Sequence, residues 1–359
     1  MSLKSHATIV SDVQSLLGGN TTDFTSAILT TRIAEGLQEL SRYCPYVVLE
    51  TVTATEDSKE LNISHIENLL WLQALEYRVG KEEREWRTFV EYYKDSISME
   101  IDFWPEDEDS AIDTNEVLDA SETGVDCDAS ATTAIPVGTI IRIENELMYV
   151  TATGTTLTVV RGYNHTTATT HVTDTDIYKP ELAYLYCAKA HKVPTLTDLA
   201  GAVDLVAGYA AGLRTIHIDG MGASDTLEKD MLFTIASDGS GTIYRLTEDT
   251  TLATNEGDII FEPGLAEAIA DDDVVTFKNS TLTPRLETLL IDLVAARSAI
   301  SIATKFINTV TVGSQSAWRD FLAWGNNHLA LTFRKLEEES KKSQKPTKIL
   351  PRGYVASTS

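Results

Sequence analysis

The spacing of apolar residues changes twice along this chain, and those changes constrain the fold more than any single motif. Helical spacing is confined to the two ends, while the middle is built of strand-length runs. Near the start, "TTDFTSAILTTRIAEGLQELSRYCP" carries Leu29, Ile33, Leu37, Leu40 and Cys44 three or four residues apart, which places them on one face of a helix. Thr22 and Asp23 are its cap candidates, and Pro45 stops it. A shorter helix over Thr8 to Leu17 should precede it, ending at Gly18 and Gly19, where a left-handed cap costs little. At the far end Thr283 is a good N-cap, and Pro284 sits in a first turn where its missing N–H is no loss. Leu286, Leu289, Leu290, Leu293, Ile300 and Ile307 then line one face. A second helix over Ala317 to Glu339 has the stripe Trp318, Phe321, Leu322, Leu329, Phe333 and Leu336.

Between the ends the pattern is β. "YVVLETVTA", "LQALEYRVG", "EWRTFVEYY" and "ISMEI" predict a small antiparallel sheet over residues 46 to 101. From Asp102 to Asp128 there are eleven acidic residues and no basic one, which reads as a solvated linker. Two stretches rich in Thr, Gly, Asp, Val and Ile follow, with strand-length runs every eight to twelve residues. Between them "ELAYLYCAKAHKV" reads as a strand returning to the first sheet, with a short helix as the competing reading.

The expected fold class is α+β: a helical bundle core formed by the N- and C-terminal helices, with a small antiparallel sheet and two inserted all-β modules. The expected division is residues 1–115 for the N-terminal helices and sheet, 116–178 for the first β module, 179–198 for the return strand, 199–280 for the second module, 281–343 for the C-terminal helical hairpin and 344–359 for an extended arm.

Composition bears on partners. At 359 residues with a net charge of −25, the chain is long enough for a sizeable core and badly suited to gripping DNA or an anionic membrane. The scattered thiols Cys44, Cys127 and Cys187 suit a reducing compartment better than a disulfide framework. With no stretch of membrane-span length, a soluble protein made in a cytoplasm is expected, with no membrane partner.

The candidate chemistry is sparse. His165 and His171 lie in "RGYNHTTATTH" among four threonines, but that spacing brings no third ligand, so a turn is expected and both histidines should be dispensable for any ion. Asp271, Asp272 and Asp273 lack the Gly turn and distal Glu of a calcium loop and read as solvated. His217 alternates with Ile216 and Ile218 and reads as an exposed strand residue. G-x-S-x-G, H-E-x-x-H, a Walker loop and G-x-G-x-x-G before a helix are all missing. No enzyme activity, cofactor or metal site is therefore expected.

The stretch Gly138 to His171 resembles a module of tailed-bacteriophage structural proteins. Its pieces are a "G-x-x-I-x-I" strand (Gly138 to Ile143), an "E-x-M-x-V" strand (Glu146 to Val150), an "L-T-V-x-R-G" strand (Leu157 to Gly162) and a loop from Asn164 to His171. His165 stands where that pattern usually has Gly. The stretch "RTIHIDGMG" to "DDDVVTFKN" looks like a second recurrent phage virion β module, with strands at Ile216 to Gly220, Leu232 to Ile235, Tyr244 to Thr247, Ile259 to Pro263 and Asp273 to Phe277. Asp230 and Met231 stand where a Gly often precedes its "FTI" strand. With helices at both ends, the layout resembles a head-to-tail adaptor of a tailed phage. That resemblance implies a ring, usually twelvefold, located in the virion neck between portal protein and tail or tail-completion protein. Double-stranded DNA would pass its acidic wall without specific binding. The alternative is a tail or baseplate structural protein whose β modules bind carbohydrate. The basic tail, with Lys341, Lys342, Lys345, Lys348 and Arg352 around Ile349, Leu350 and Tyr354, is expected to dock on a partner as an extended arm.

Overall fold

The computed structural model describes residues 3–80, 83–92, 95–196, 198–223, 225–239, 241–306 and 317–343. Two helices open the chain, α1 (His6–Leu16) and α2 (Ser26–Tyr43). Ser5 caps the first by accepting from the N–H of Thr8, and Thr25 caps the second by accepting from that of Ile28. The α2 cap falls beyond the expected Thr22 and Asp23 because Asn20 Oδ1 takes their N–H groups and holds them in a turn. Leu29, Ile33, Leu40 and Cys44 are buried as their spacing predicts, and Leu37 packs against them half-buried.

Six strands follow: β1 (Tyr46–Thr53), β2 (Glu60–Asn62), β3 (Leu69–Glu76), β4 (Trp86–Arg87), β5 (Phe89–Tyr92) and β6 (Ser96–Met99). They form two sheets where one was expected. β2, β6 and β5 make one, in the order β2-β6-β5, and the others await a strand from much later in the chain. The next six are β7 (Glu108–Asp113), β8 (Gly124–Asp126), β9 (Ile140–Ile143), β10 (Glu146–Ala152), β11 (Thr156–Val160) and β12 (Asp176–Lys179). They form a sheet in the order β7-β12-β9-β10-β11-β8. The sheet curls until its edges meet at a bridge between Thr114 and Cys127.

The acidic linker expected over residues 102 to 128 is thus in part strand. In β7 the side chains of Ser110 and Ile112 turn inward while Glu108, Asp109 and Ala111 stay exposed, and Ser110 Oγ donates to the carbonyl of Ile177 at 2.5 Å. Acidic side chains on the open face of an edge strand remain hydrated and discourage pairing with another chain.

β13 (Leu182–Lys189) then returns to the first sheet, as "ELAYLYCAKAHKV" suggests, and lies between β1 and β3 in the order β1-β13-β3-β4. The two N-terminal sheets share one apolar core around Val52, Leu61, Leu75, Ile97 and Leu185. The second module contains β14 (Ala200–Val203), β15 (Thr215–Asp219), β16 (Thr226–Leu227), β17 (Leu232–Ile235), β18 (Tyr244–Leu246), β19 (Thr250–Thr251), β20 (Gly257–Glu262) and β21 (Val274–Phe277). Six of them close into a barrel, in the order β14-β15-β20-β18-β17-β21. Phe233 fills its interior with Tyr244, Phe261 and Phe277 around it, ring centroids 5.2 to 5.4 Å away.

The chain ends in α3 (Pro284–Phe306) and α4 (Ala317–Ser343). Thr283 Oγ1 accepts from the N–H of Leu286, the cap its sequence predicts. A single buried face was expected on α3. Instead Leu289, Leu290, Ile291, Leu293, Val294 and Ala296 are all buried, because α1, α2 and α4 pack around it. Ile300 is half-buried, while Ile307 and the side chain of Trp318 lie outside the described residues.

The expectation of a helical bundle core with a small sheet is overturned. Among the described residues the chain is mostly β, 32% strand against 24% helix, with several antiparallel sheets and a closed barrel. The physical reason is the shortness of the strands. In Thr215–Asp219 only Ile216 and Ile218 are buried, so a strand shows two core residues where a helix shows a long stripe.

Gly325 lets α4 approach α3. A Cβ there would lie 2.7 Å from Ile300 Cγ1 and 3.0 Å from the carbonyl oxygen of Ala296. Gly325→Val should therefore force the helices apart and cost about 1–3 kcal/mol, read as a lower urea midpoint of the helical circular dichroism signal.

Candidate functional site

The "RGYNHTTATTH" loop closes on one carboxylate. The β9–β10 turn, with Glu144 at φ 54°, leads into Glu146, the first residue of β10, which is 1% exposed. Arg161, at the end of β11, donates from Nε to Glu146 Oε1 at 2.6 Å and from Nη2 to Oε2 at 2.8 Å. The backbone N–H of Gly162 and that of Thr169 donate to the same carboxylate at 3.1 and 3.0 Å. His171 completes the shell, with Nε2 2.9 Å from Glu146 Oε2 and Nδ1 2.9 Å from Glu144 Oε2. Gly162 has φ 62°, and a Cβ there would come within 3.0 Å of the Thr166 carbonyl, so this turn needs glycine.

Burial by itself would raise the Glu146 carboxyl. Arg161, the N–H of Thr169, His171 and the N–H of Gly162 outweigh it and hold the group at about 2. A carboxylate so fully occupied has no lone pair left for a metal or a substrate. The loop is a fastener, and His171 is part of it. His171 is 1% exposed and held at both ring nitrogens, so it is not the surface residue that its place in a Thr-rich loop suggests; the side chain of His165 lies outside the described residues.

A second buried charge cluster joins the first sheet to the barrel. Lys189 of β13 is wholly buried, with Nζ 2.5 Å from Glu50 Oε1 of β1 and 3.0 Å from Asp230 Oδ2. Arg245 of β18 reaches Glu50 Oε1 at 3.0 Å, Asp230 Oδ1 at 2.7 Å and Glu262 Oε2 at 3.4 Å. It also donates to the carbonyl of Leu49 at 2.7 Å. Arg214 pairs with Glu262 from the other side, at 3.1 Å. Burial alone would raise the Glu50 carboxyl, but Arg245 and Lys189 bring it down to about 2. Asp230 holds its place at φ 69°, a left-handed conformation that glycine ordinarily supplies.

Beside this cluster lies a cleft of about 550 Å³ between β1 and the barrel, lined by Tyr46, Leu49, Tyr184, Arg214, Arg245 and Glu262 among others. Its charged members are already paired with one another. Burial pushes the thiols of Cys44 and Cys127 up to about 11 and that of Cys187 to about 12, so none is a ready nucleophile.

The remaining expected positions are dispersed. Asp271 Oδ1 accepts from the N–H of Leu205 at 2.9 Å, whereas Asp273 Oδ2 accepts from that of Ala270 at 2.6 Å. Those two carboxylates therefore serve separate turns. Lys341 and Lys342 belong to the last turn of α4, where positive charge suits the helix terminus. The arm thus begins later than Lys341. Lys345, Lys348, Ile349, Leu350, Arg352 and Tyr354 lie outside the described residues. His217, expected as an exposed strand residue, lies on β15 but is half-buried, with Asp204, Glu256 and Asp258 gathered around it. Sequence spacing could not reveal that group, because its members come from three separate segments.

The buried clusters set two expected outcomes. His171→Ala should lower folding stability by about 1–3 kcal/mol, the cost of leaving buried partners unsatisfied, read by denaturant unfolding. Glu50 sits at about 2 in the folded chain against an ordinary 4.5. Its depressed pKa contributes stability that is complete above about pH 5 and lost as pH falls toward 2. The melting temperature should fall through that window, and Glu50→Gln should fall less steeply there. No known protein family, curated protein or solved structure matches this chain.

Proposed function

We propose that this chain is a structural protein of a tailed-bacteriophage virion, a head-to-tail adaptor. It assembles into a homo-oligomeric ring that joins the portal protein to the tail and extends the DNA channel. One observation carries the reading. The residues on which the first module resembles phage virion modules, Glu146, Arg161, Gly162 and His171, converge on a single carboxylate. A carboxylate whose lone pairs are all taken by the chain's own donors serves construction rather than catalysis.

Two further features support it. The helices from both ends of the chain pack together, with α3 against α1, α2 and α4. The net charge of −25 suits a wall past which DNA moves without sticking. The carbohydrate-binding alternative draws nothing from Tyr149 and Tyr163, which stack on each other with centroids 5.4 Å apart and are 0% and 4% exposed.

Electron microscopy of the purified chain, alone and mixed with portal-containing heads, should show a ring at the portal vertex. A chain that stays monomeric and leaves that vertex bare overturns the proposal. Truncation after Ser343 should give a folded subunit that no longer joins the heads, since it removes Ile349, Leu350 and Tyr354 as apolar anchors. Normal assembly by the truncated chain would remove the docking role from residues 344–359.

A further inference from the structure

His217 sits in β15 between Ile216 and Ile218, both buried in the barrel, so strand alternation turns its imidazole outward. β20 runs antiparallel beside it in a register that sets Asp258 opposite His217. Asp258 Oδ1 lies 2.7 Å from Nδ1. With that carboxylate accepting the Nδ1 proton, Nε2 keeps its lone pair, and Asp204 Oδ2 lies 4.0 Å from it. Asp204 is tied in place by its own N–H, which donates to the His217 carbonyl at 3.0 Å. Glu256 arrives from a tight turn in which Thr254 and Asn255 both take positive φ, 60° and 78°. The ligand atoms of Asp204, His217 and Glu256 all lie within 4.8 Å of one another.

We propose that Asp204, His217 and Glu256 bind a divalent transition-metal ion of the zinc type, with Asp258 as the positioning residue of the imidazole. A simple ion pair would need only Asp258, yet three carboxylates crowd one histidine, and mutual repulsion disfavours that arrangement without a cation among them. A carboxylate on the far ring nitrogen is the usual way a metal-binding histidine is oriented. The imidazole selects against calcium and magnesium, which prefer oxygen shells. Ligand atoms about 2.0–2.2 Å from one tetrahedral ion stand roughly 3.3–3.6 Å apart, so the set must close by up to about 1.5 Å. Asp204 and Glu256 are exposed and can do so by changing rotamer. A bound ion would tie the segment after β14, β15 itself and the turn before β20 into one unit, stabilising the barrel by mass action. The site stands independently of the virion role.

The test uses the untagged full chain, stripped with chelator and titrated with ZnCl2 by calorimetry and thermal melting. A single ion should bind per chain and raise the melting temperature, while CaCl2 and MgCl2 at the same concentration should not. His217→Ala should lose that rise, and Asp258→Asn should bind Zn²⁺ about tenfold more weakly. Circular dichroism without metal checks that the variants are folded. If His217→Ala is not, Glu256→Gln on the exposed turn tests the same ligand set. A wild-type chain with no Zn²⁺ response overturns the site, as does a response retained in a folded His217→Ala or Glu256→Gln variant.

Discussion

The placement of the barrel against the first sheet depends on one buried charge network. Lys189 and Glu50 come from the sheet, and Asp230, Arg245 and Glu262 come from the barrel. The sheet half carries one charge of each sign, and the barrel half brings two carboxylates to Arg245. Taking each ion out of water costs several kcal/mol, and only the joined geometry, with its extra bond from Arg245 to the Leu49 carbonyl, offsets that cost. Such a network adds little net stability compared with an apolar contact, but it penalises every other docking of the two units. Lys189 occupies the strand that pairs on both sides within its sheet, so the network is anchored where the backbone is least free to move.

The same device works at a smaller scale inside the first module. Glu146 gathers a guanidinium, two backbone N–H groups and an imidazole, which fixes a loop that its threonines alone could not hold. The helical part uses a different means. α3 is apolar on nearly all sides and is enclosed by its neighbours, and Gly36 and Gly325 let them come close: a Cβ at Gly36 would sit 2.9 Å from Val294 Cγ2.

Much of the local structure was legible in the sequence. Thr283 and Pro284 mark the start of α3 because capping is a local matter of one oxygen and a few N–H groups. The eight strands expected in the two β modules fall close to their bounds because alternation is a property of neighbouring residues, whereas β8, β12, β14, β16 and β19 are too short to show it. Charge misled where it was read without direction. The acidic run before Asp128 contains β7, whose alternate side chains point to water and to the core, and a count of acids cannot distinguish the two faces.

What the sequence by itself determined is the helices, most of the longer strands and the cap of α3, since these depend on residues within one or two turns of each other. Only the tertiary structure decided the fold class, because short strands become sheets through partners far along the chain, as β13 does with β1 and β3. It also decided which charges matter. Glu50, Asp230, Glu146 and Asp258 look alike among 54 acidic residues. What separates them is desolvation and the cation or N–H brought opposite each, and both are set by chain segments that are distant in sequence and adjacent in space.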